Sequence, residues 1–193
     1  MCAPPSISPG TDAAAAASAA FSSCSNLYAN RTFGSPYTSA ASLTNTTYAQ
    51  TLLSHAQQLY TFALNATGGY KNYQDSVPSV EDAYPSSSYG DDLTLAALFL
   101  SIATNSTSVY RQAEVLYRQY KLAGQNQVFN WDSTTPGVVV LAAQVNQAFL
   151  GIGGNLTAYR LEAERYFDGI LNHTTGSYMT RGMSFPSPSQ QSL

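Results

Sequence analysis

The chain has 193 residues, a formal net charge of −3 and 10% charged residues, well below the ~25% of an ordinary soluble domain. With only 8 basic residues it lacks the basic surface that binding to nucleic acid requires. Its length is typical of one domain, and no apolar run approaches the ~20 residues that span a bilayer. Cys2 and Cys24 match no metal-ligand spacing; they could pair in an oxidising compartment or remain independent thiols.

Six helical segments of two kinds follow one another along the chain. Three are rich in alanine or apolar on nearly every side, namely 12–28, 91–104 and 136–150. The other three carry a single apolar stripe, namely 46–66, 108–123 and 155–171. Helices that are apolar all round are typically buried, so buried inner helices alternate with amphipathic outer ones. The sequence therefore predicts an all-α fold, arranged as a toroid or a layered array of helices.

Long connections precede two of the predicted inner helices, at roughly 67–90 and 124–136. In antiparallel helical hairpins, all links of one kind lie on the same face of the molecule. We therefore expect the long loops and the starts of the inner helices to gather on one side. Functional residues tend to lie in long loops carried by a rigid scaffold, so this face is the candidate functional site.

Acidic residues lie near the starts of all three inner helices: Asp12, Asp91, Asp92 and Asp132. One interpretation is helix capping, because a carboxylate there accepts free N–H groups at the positive end of the helix dipole; for Asp12 we favour it. Another is a calcium site, since the other three acids with Ser87 and Ser88 supply hard oxygen donors, of which Ca²⁺ takes about six to eight. A catalytic acid pair is disfavoured, because adjacent residues on one helical turn cannot flank a sugar ~6.5–9.5 Å apart.

Aromatic residues in the converging loops indicate a sugar as ligand. Tyr84, Tyr89 and Trp131 lie there, and a flat ring with a polar tip suits the apolar C–H faces of a sugar ring. Other residues with catalytic potential are scarce. The sequence has no G-x-S-x-G nucleophile elbow, and His55 lies among leucines on an amphipathic helix, where a structural role is favoured.

Six positions match the Asn-x-Thr acceptor for N-glycosylation: Asn30, Asn45, Asn65, Asn105, Asn155 and Asn172. Most lie beside a predicted helix end, where a glycan can reach solvent. We interpret the chain as a protein of the secretory pathway, whose glycans would keep a weakly charged surface soluble. The opening stretch MCAPPSISPGTD lacks the basic region and bulky apolar core of a signal peptide, so we expect a fragment of a longer secreted protein.

Five stretches, in the same order, resemble segments of glycoside hydrolase family nine, the inverting endoglucanases built as an (α/α)₆ toroid. They are SPGTDAAAAASAA, LLSHAQQLYTFA, AYPSSSYGDDLTLAALFL, FNWDSTTPGVVVLAA and SYMTRGMSF. The resemblance covers nearly all of 6–185 and implies about six helices, half of the barrel. It implies a partial catalytic domain over 1–185, followed by a disordered, divergent tail over 186–193.

The resemblance also implies a function. The parent protein would be an extracellular, monomeric β-1,4-glucanase that hydrolyses cellulose with inversion. The glucan would contact Tyr84 and Trp131. A structural Ca²⁺ would be held by Ser87, Ser88, Asp91, Asp92 and Asp132.

The family's catalytic residues have no counterpart in the sequence. The Asp-Ala-Gly-Asp motif that carries the family's catalytic base does not occur, and nothing resembles the segment that carries its catalytic acid. We therefore expect no catalytic residue among the 193, and no activity from this chain alone. The alternative is a noncatalytic carbohydrate-binding or structural α-helical glycoprotein.

Overall fold

The computed structural model describes residues 10–31, 43–65, 69–83, 85–149, 154–172, 177–180 and 183–186. Seven α-helices occur in this part of the chain: α1 (Thr11–Tyr28), α2 (Thr46–Leu64), α3 (Tyr73–Ser76), α4 (Gly90–Thr104), α5 (Thr107–Gln119), α6 (Thr135–Ala148) and α7 (Leu156–Leu171). A 3-10 turn (Pro78–Val80) precedes α4, and two antiparallel strands follow α7, β1 (Ser177–Thr180) and β2 (Met183–Pro186). The six predicted helices are confirmed, whereas the short α3 and the small hairpin were not predicted.

The largest error in a predicted boundary is at the end of α5, which stops at Gln119 and not at 123. Lys121 adopts a left-handed conformation with φ 51°, and the N–H of Leu122 donates back to the carbonyl of Tyr117 at 3.1 Å. This pattern ends a helix by satisfying one of its last free carbonyls. A lysine seldom takes this conformation, so the sequence carried no signal for it.

The long helices form three antiparallel hairpins, each with one inner and one outer helix. In the first, Ser18 Oγ donates to the Ala56 carbonyl at 2.8 Å and Ser25 Oγ to the Ala49 carbonyl at 2.9 Å, so α1 and α2 run in opposite directions. In the second, α4 and α5 are joined through Asn105, whose left-handed backbone (φ 50°) reverses the chain. Helices α6 and α7 form the third.

The three inner helices α1, α4 and α6 run parallel to one another. Near the ends of α1 and α4, Asn26 Nδ2 donates to the Phe99 carbonyl at 3.3 Å. At the starts of α4 and α6, the N–H of Thr134 donates to Asp91 Oδ2 at 2.7 Å. The starts of the inner helices therefore share one side of the molecule, as the loop pattern predicted. We call this side the acidic face, because it carries Asp12, Asp91, Asp92 and Asp132.

Burial differs between the middle inner helix and its neighbours. Helix α4 is buried on nearly every side, as its apolar sequence predicted. Helix α1 instead leaves one stripe exposed, made of Ala13, Ala16, Ala20, Cys24 and Leu27. Helix α6 has a half-exposed stripe, made of Gly137, Val140, Ala143 and Gln144. Open flanks on the first and last inner helices are what part of an (α/α)₆ toroid should show.

Several expectations from the sequence concern residues outside the described part of the chain. Cys24 is exposed on α1, but Cys2 is not described, so their pairing stays untested. Tyr84 is not described either. Of the predicted tail, Pro186 ends β2 and 187–193 lie outside the description. No helix in the described ranges combines the length and apolar character needed to cross a bilayer.

Candidate functional site

Buried carboxylates gather on the acidic face. Asp12 at the start of α1 and Asp91 and Asp92 at the start of α4 are all at most 8% exposed. Asp132 is half-buried in the loop before α6. Four acids drawn from three segments of the chain thus face one region. The sequence predicted each acid near the start of an inner helix. The parallel packing of the inner helices brings these starts, and therefore the acids, together.

Asp91 ties the start of α4 to the start of α6. Its Oδ2 accepts hydrogen bonds from the N–H of Thr134 at 2.7 Å and from the Thr134 hydroxyl at 3.3 Å. Its Oδ1 is buried and has no hydrogen-bond partner. Such an oxygen is costly to leave without a partner, so it marks a place where a cation would be favourable.

Asp92 experiences the charge of the whole cluster. Burial, and then the neighbouring Asp91, Asp12 and Asp132, together raise the pKa of its carboxyl to about 8, against one lowering hydrogen bond from Thr134. Near neutral pH the cluster therefore holds a proton or requires a positive charge close by. Either would relieve the repulsion between the carboxylates.

Asp132 fastens the loop before α4 to the loop before α6. Its Oδ1 accepts from the Ser87 N–H at 2.6 Å and its Oδ2 from the Ser87 hydroxyl at 3.0 Å. The Oγ of Ser88 accepts from the Gly90 N–H at 3.1 Å, at the start of α4. All five residues implied as calcium ligands therefore lie in one connected set of loops and helix starts.

Asp12 accepts a hydrogen bond from a different helix than the capping interpretation predicted. Its Oδ1 accepts from the N–H of Tyr73 at 2.8 Å, and Tyr73 begins α3. Asp12 thus binds a free N–H at a helix start, but that helix is α3 and not its own. Gly10 makes this approach possible, since a Cβ there would lie 2.6 Å from Cδ2 of the Tyr73 ring.

The donor set fits calcium in its chemistry but is not arranged as a finished cage. Among the described residues, no three acidic, histidine or cysteine side chains are placed to hold a metal ion. Asp91, Asp132 and Asp12 instead satisfy loop and helix N–H groups. The donors are nevertheless all hard oxygens, one carboxylate oxygen has no partner, and the acids crowd one another. Ca²⁺ binding would exchange some of these hydrogen bonds for metal–oxygen bonds.

Aromatic side chains border the acids. Trp131 and Phe129, in the loop before α6, are 59% and 60% exposed. The rings of Tyr70, Tyr89 and Tyr120 pack edge to face, with centroids 5.6 and 5.7 Å apart in succession. Phe129 was not singled out from the sequence, although its position two residues before Trp131 in a long loop was a usable signal.

Two surface cavities lie away from the acidic face. They have volumes of about 570 and 690 Å³ and run along the outer side of α2. His55 lines both, and its ring centroid is 5.9 Å from that of Phe21. No acid of the acidic face contributes to either lining, so these cavities are separate from the candidate site on that face.

Comparison with known proteins identifies relatives over most of the chain. The family model described as Glycosyl hydrolase family 9 matches the sequence over residues 4–193. The chain is 29% identical to Endoglucanase 2 of Arabidopsis thaliana over 165 residues, which are 84% of this chain and 29% of that protein. It is 31% identical to Endoglucanase 24 of Oryza sativa subsp. japonica over 181 residues, which are 90% of this chain and 31% of that protein.

Solved structures give the same result. An endoglucanase from the termite Nasutitermes takasagoensis superposes with a TM-score of 0.67 at 32% identity, covering 85% of this chain and 32% of that one. A cellulase of C. cellulolyticum superposes with a TM-score of 0.59 at 25% identity, covering 84% and 31%. The chain thus spans about a third of the length of these relatives.

Proposed function

Because the chain belongs to glycosyl hydrolase family 9, we propose that it forms part of the catalytic domain of a β-1,4-glucanase that acts on cellulose. The observation that carries this proposal is the acidic face, where loops from two hairpins meet beside the exposed Trp131. The named relatives are endoglucanases and a cellulase, which supports a glucan as the ligand of this face. A sugar ring would stack on Trp131, with Tyr84 as a second contact.

The catalytic step itself needs residues that these 193 do not supply. Inverting hydrolysis requires an acid and a base on opposite sides of the sugar, ~6.5–9.5 Å apart. Asp91 and Asp92 are neighbours on one helical turn and are both buried. We propose that they brace the loops and do not attack the substrate, and that this chain alone binds glucan without hydrolysing it.

Further parts of the proposal concern the parent protein. We propose that it is secreted, acts outside the cell as a monomer and is N-glycosylated. The six Asn-x-Thr sequences and the low charge of the chain support this. Inversion of configuration is proposed from family membership.

We predict that titration with cello-oligosaccharides changes the tryptophan fluorescence of the chain and releases no reducing ends. Trp131 is the only tryptophan, so the signal reports on this one ring. Mannan oligosaccharides of equal length serve as the ligand control. Replacing the exposed Phe167 on α7 with alanine serves as the protein control and should leave the titration unchanged. An unchanged spectrum with every glucan, or steady release of reducing ends, would contradict the proposal.

We also predict that Ca²⁺ raises the melting temperature, and does so more at pH 8 than at pH 5. The folded-state pKa of Asp92, about 8, lies above its ordinary value. The stability that this carboxyl contributes is therefore complete below about pH 4 and lost as pH rises towards 8. Ca²⁺ replaces the proton, and at about 100 times its dissociation constant it adds ~2.7 kcal/mol.

Thermal melts with Ca²⁺ and with a chelator, at both pH values, test the calcium prediction. Asp92→Asn should abolish the effect of Ca²⁺ on the melting temperature. It should also remove most of the pH dependence of the melting temperature measured with chelator. Asp168→Asn, at an exposed position on α7, is the matched control and should behave as the unmodified chain. Identical melting temperatures with and without Ca²⁺ at pH 8 would refute the metal assignment.

A further inference from the structure

Three glycosylation sequences occupy equivalent positions in the three helical hairpins. They are Asn45-Thr46-Thr47, Asn105-Ser106-Thr107 and Asn155-Leu156-Thr157. Each lies where the chain enters an outer helix, α2, α5 or α7. In all three, both the asparagine and the acceptor threonine are exposed. The other three sequences each include a threonine outside the described residues and play no part here.

Helix capping at these positions leaves the reactive nitrogen free for modification. Asn45 Oδ1 accepts from the Tyr48 N–H at 2.9 Å, and Asn155 Oδ1 accepts from the Ala158 N–H at 3.1 Å. The cap uses the side-chain oxygen, whereas a glycan is attached to Nδ2. A glycan and a helix cap can therefore coexist on the same residue. Asn105 caps no helix with its side chain; its left-handed backbone ends α4.

All three sequences lie on the side of the molecule opposite the acidic face. Helix α1 starts beside Asp12 and ends at Tyr28, whose carbonyl accepts the Asn45 N–H at 2.9 Å. Helix α4 has Asp91 in its first turn and ends next to Asn105. Its 15 residues at 1.5 Å each separate the two sides by about 22 Å. We call this second side the hairpin face.

The third hairpin follows the same rule. Near the start of α7, the side chain of Arg160 donates to Gln147 Oε1 at 3.2 Å, close to the end of α6. At the other end of α7, the Tyr166 hydroxyl donates to the Gln127 carbonyl at 3.1 Å, in the loop before α6. Asn155 therefore lies on the hairpin face together with Asn45 and Asn105.

We propose that Asn45, Asn105 and Asn155 carry N-linked oligosaccharides, which make the hairpin face a glycosylated surface. The inference rests on the proposed passage through the secretory pathway. In the transfer, Nδ2 bonds to the anomeric carbon of an oligosaccharide carried on a lipid diphosphate. The bond from that carbon to the diphosphate oxygen breaks, and the amide proton passes to the departing diphosphate.

This arrangement suits a protein with few charges that must bind a polymer. Only 10% of the residues are charged, so bound glycans supply hydration that the side chains do not. Because the three attachment points lie at the far ends of the hairpins from the acids, about 22 Å away along α4, a long glucan could approach the acidic face without meeting them. One attachment point in each hairpin spaces the glycans across the hairpin face.

The test expresses the full chain behind a cleavable secretion leader in a eukaryotic cell. Glycans are released without denaturation by peptide-N-glycosidase in ¹⁸O-water, and peptide mass spectrometry identifies each asparagine converted to labelled aspartate. We expect label at Asn45, Asn105 and Asn155. Thr47→Ala, Thr107→Ala and Thr157→Ala should each remove one glycan, whereas the matched Thr→Ser variants should retain it.

The outcomes separate this inference from the proposed function. Alanine favours helices more than threonine, so the alanine variants should fold at least as well as the unmodified chain, and loss of a glycan cannot be ascribed to unfolding. Leader-cleaved chain without label at any of the three asparagines would overturn the inference. The label at each asparagine is measured without any glucan, so a failure of this inference is distinguishable from a failure of the proposed function.

Discussion

Replacing Glu114 with alanine is expected to lower the free energy of unfolding by about 4 kcal/mol, combining a core cavity with lost hydrogen bonds. Glu114 lies on α5 but is only 6% exposed. Its Oε1 accepts from the hydroxyl of Tyr110 at 2.9 Å and from that of Tyr159 at 3.4 Å. The Tyr110 hydroxyl also accepts from Asn146 Nδ2 on α6. One carboxylate thus joins α5, α6 and α7.

In the alanine variant, the hydroxyls of Tyr110 and Tyr159 would lose the acceptor that Glu114 now provides. Burial, and then the nearby Glu114, raise the pKa of the Tyr159 hydroxyl, so it remains a proton donor throughout the ordinary pH range. A buried hydroxyl that loses its acceptor costs about 1–3 kcal/mol. Two such hydroxyls, together with the volume of the missing side chain, account for the expected loss.

Urea unfolding followed by circular dichroism measures this effect. Glu114→Gln retains an oxygen acceptor of the same size and should lose much less stability than the alanine variant. Glu164→Ala, at an exposed position on α7, is the matched control and should change stability by less than about 0.5 kcal/mol. Equal losses for Glu114→Gln and Glu114→Ala would contradict this explanation, because glutamine keeps both the side-chain volume and an oxygen acceptor.

Replacing Gly90 with alanine is expected to cost about 3 kcal/mol and to weaken Ca²⁺ binding as well. A Cβ at this position would lie 2.2 Å from Cγ and 2.5 Å from Cδ1 of the Tyr120 ring. The ring has little room to retreat, because it packs edge to face against Tyr89. The displaced helix start carries Asp91 and Asp92, so the acidic face would move with it.

Two comparisons isolate the clash at Gly90. In a Tyr120→Ala background the Gly90→Ala substitution should cost much less, giving a favourable coupling energy in a double-mutant cycle. Gly137→Ala meets only the outer edge of the exposed Phe129 ring, at 2.7 Å, and that ring can rotate away. It should therefore be nearly neutral. A cost at Gly90 that is unchanged by the Tyr120 substitution would contradict the steric explanation.

The sequence by itself predicted the six long helices and divided them into buried inner helices and amphipathic outer ones. An unbroken apolar run such as α4 needs neighbours on all sides, and a single stripe such as that of α2 needs them on one. Chain length between helices also indicated that the inner helix starts share a face. These features follow from hydrophobic periodicity and loop length, which are local properties of the chain.

Tertiary structure alone decided which polar groups meet. Asp12 could have capped its own helix, but packing of α1 beside α3 brings it to Tyr73. Glu114 falls within the stripe of Tyr110, Ala113 and Tyr117, yet only the approach of α6 and α7 supplies hydroxyls that make its burial tolerable. Val115, beside it, is 51% exposed. Hydrogen bonds between distant residues depend on helix orientation to within an ångström, and no local pattern encodes that orientation.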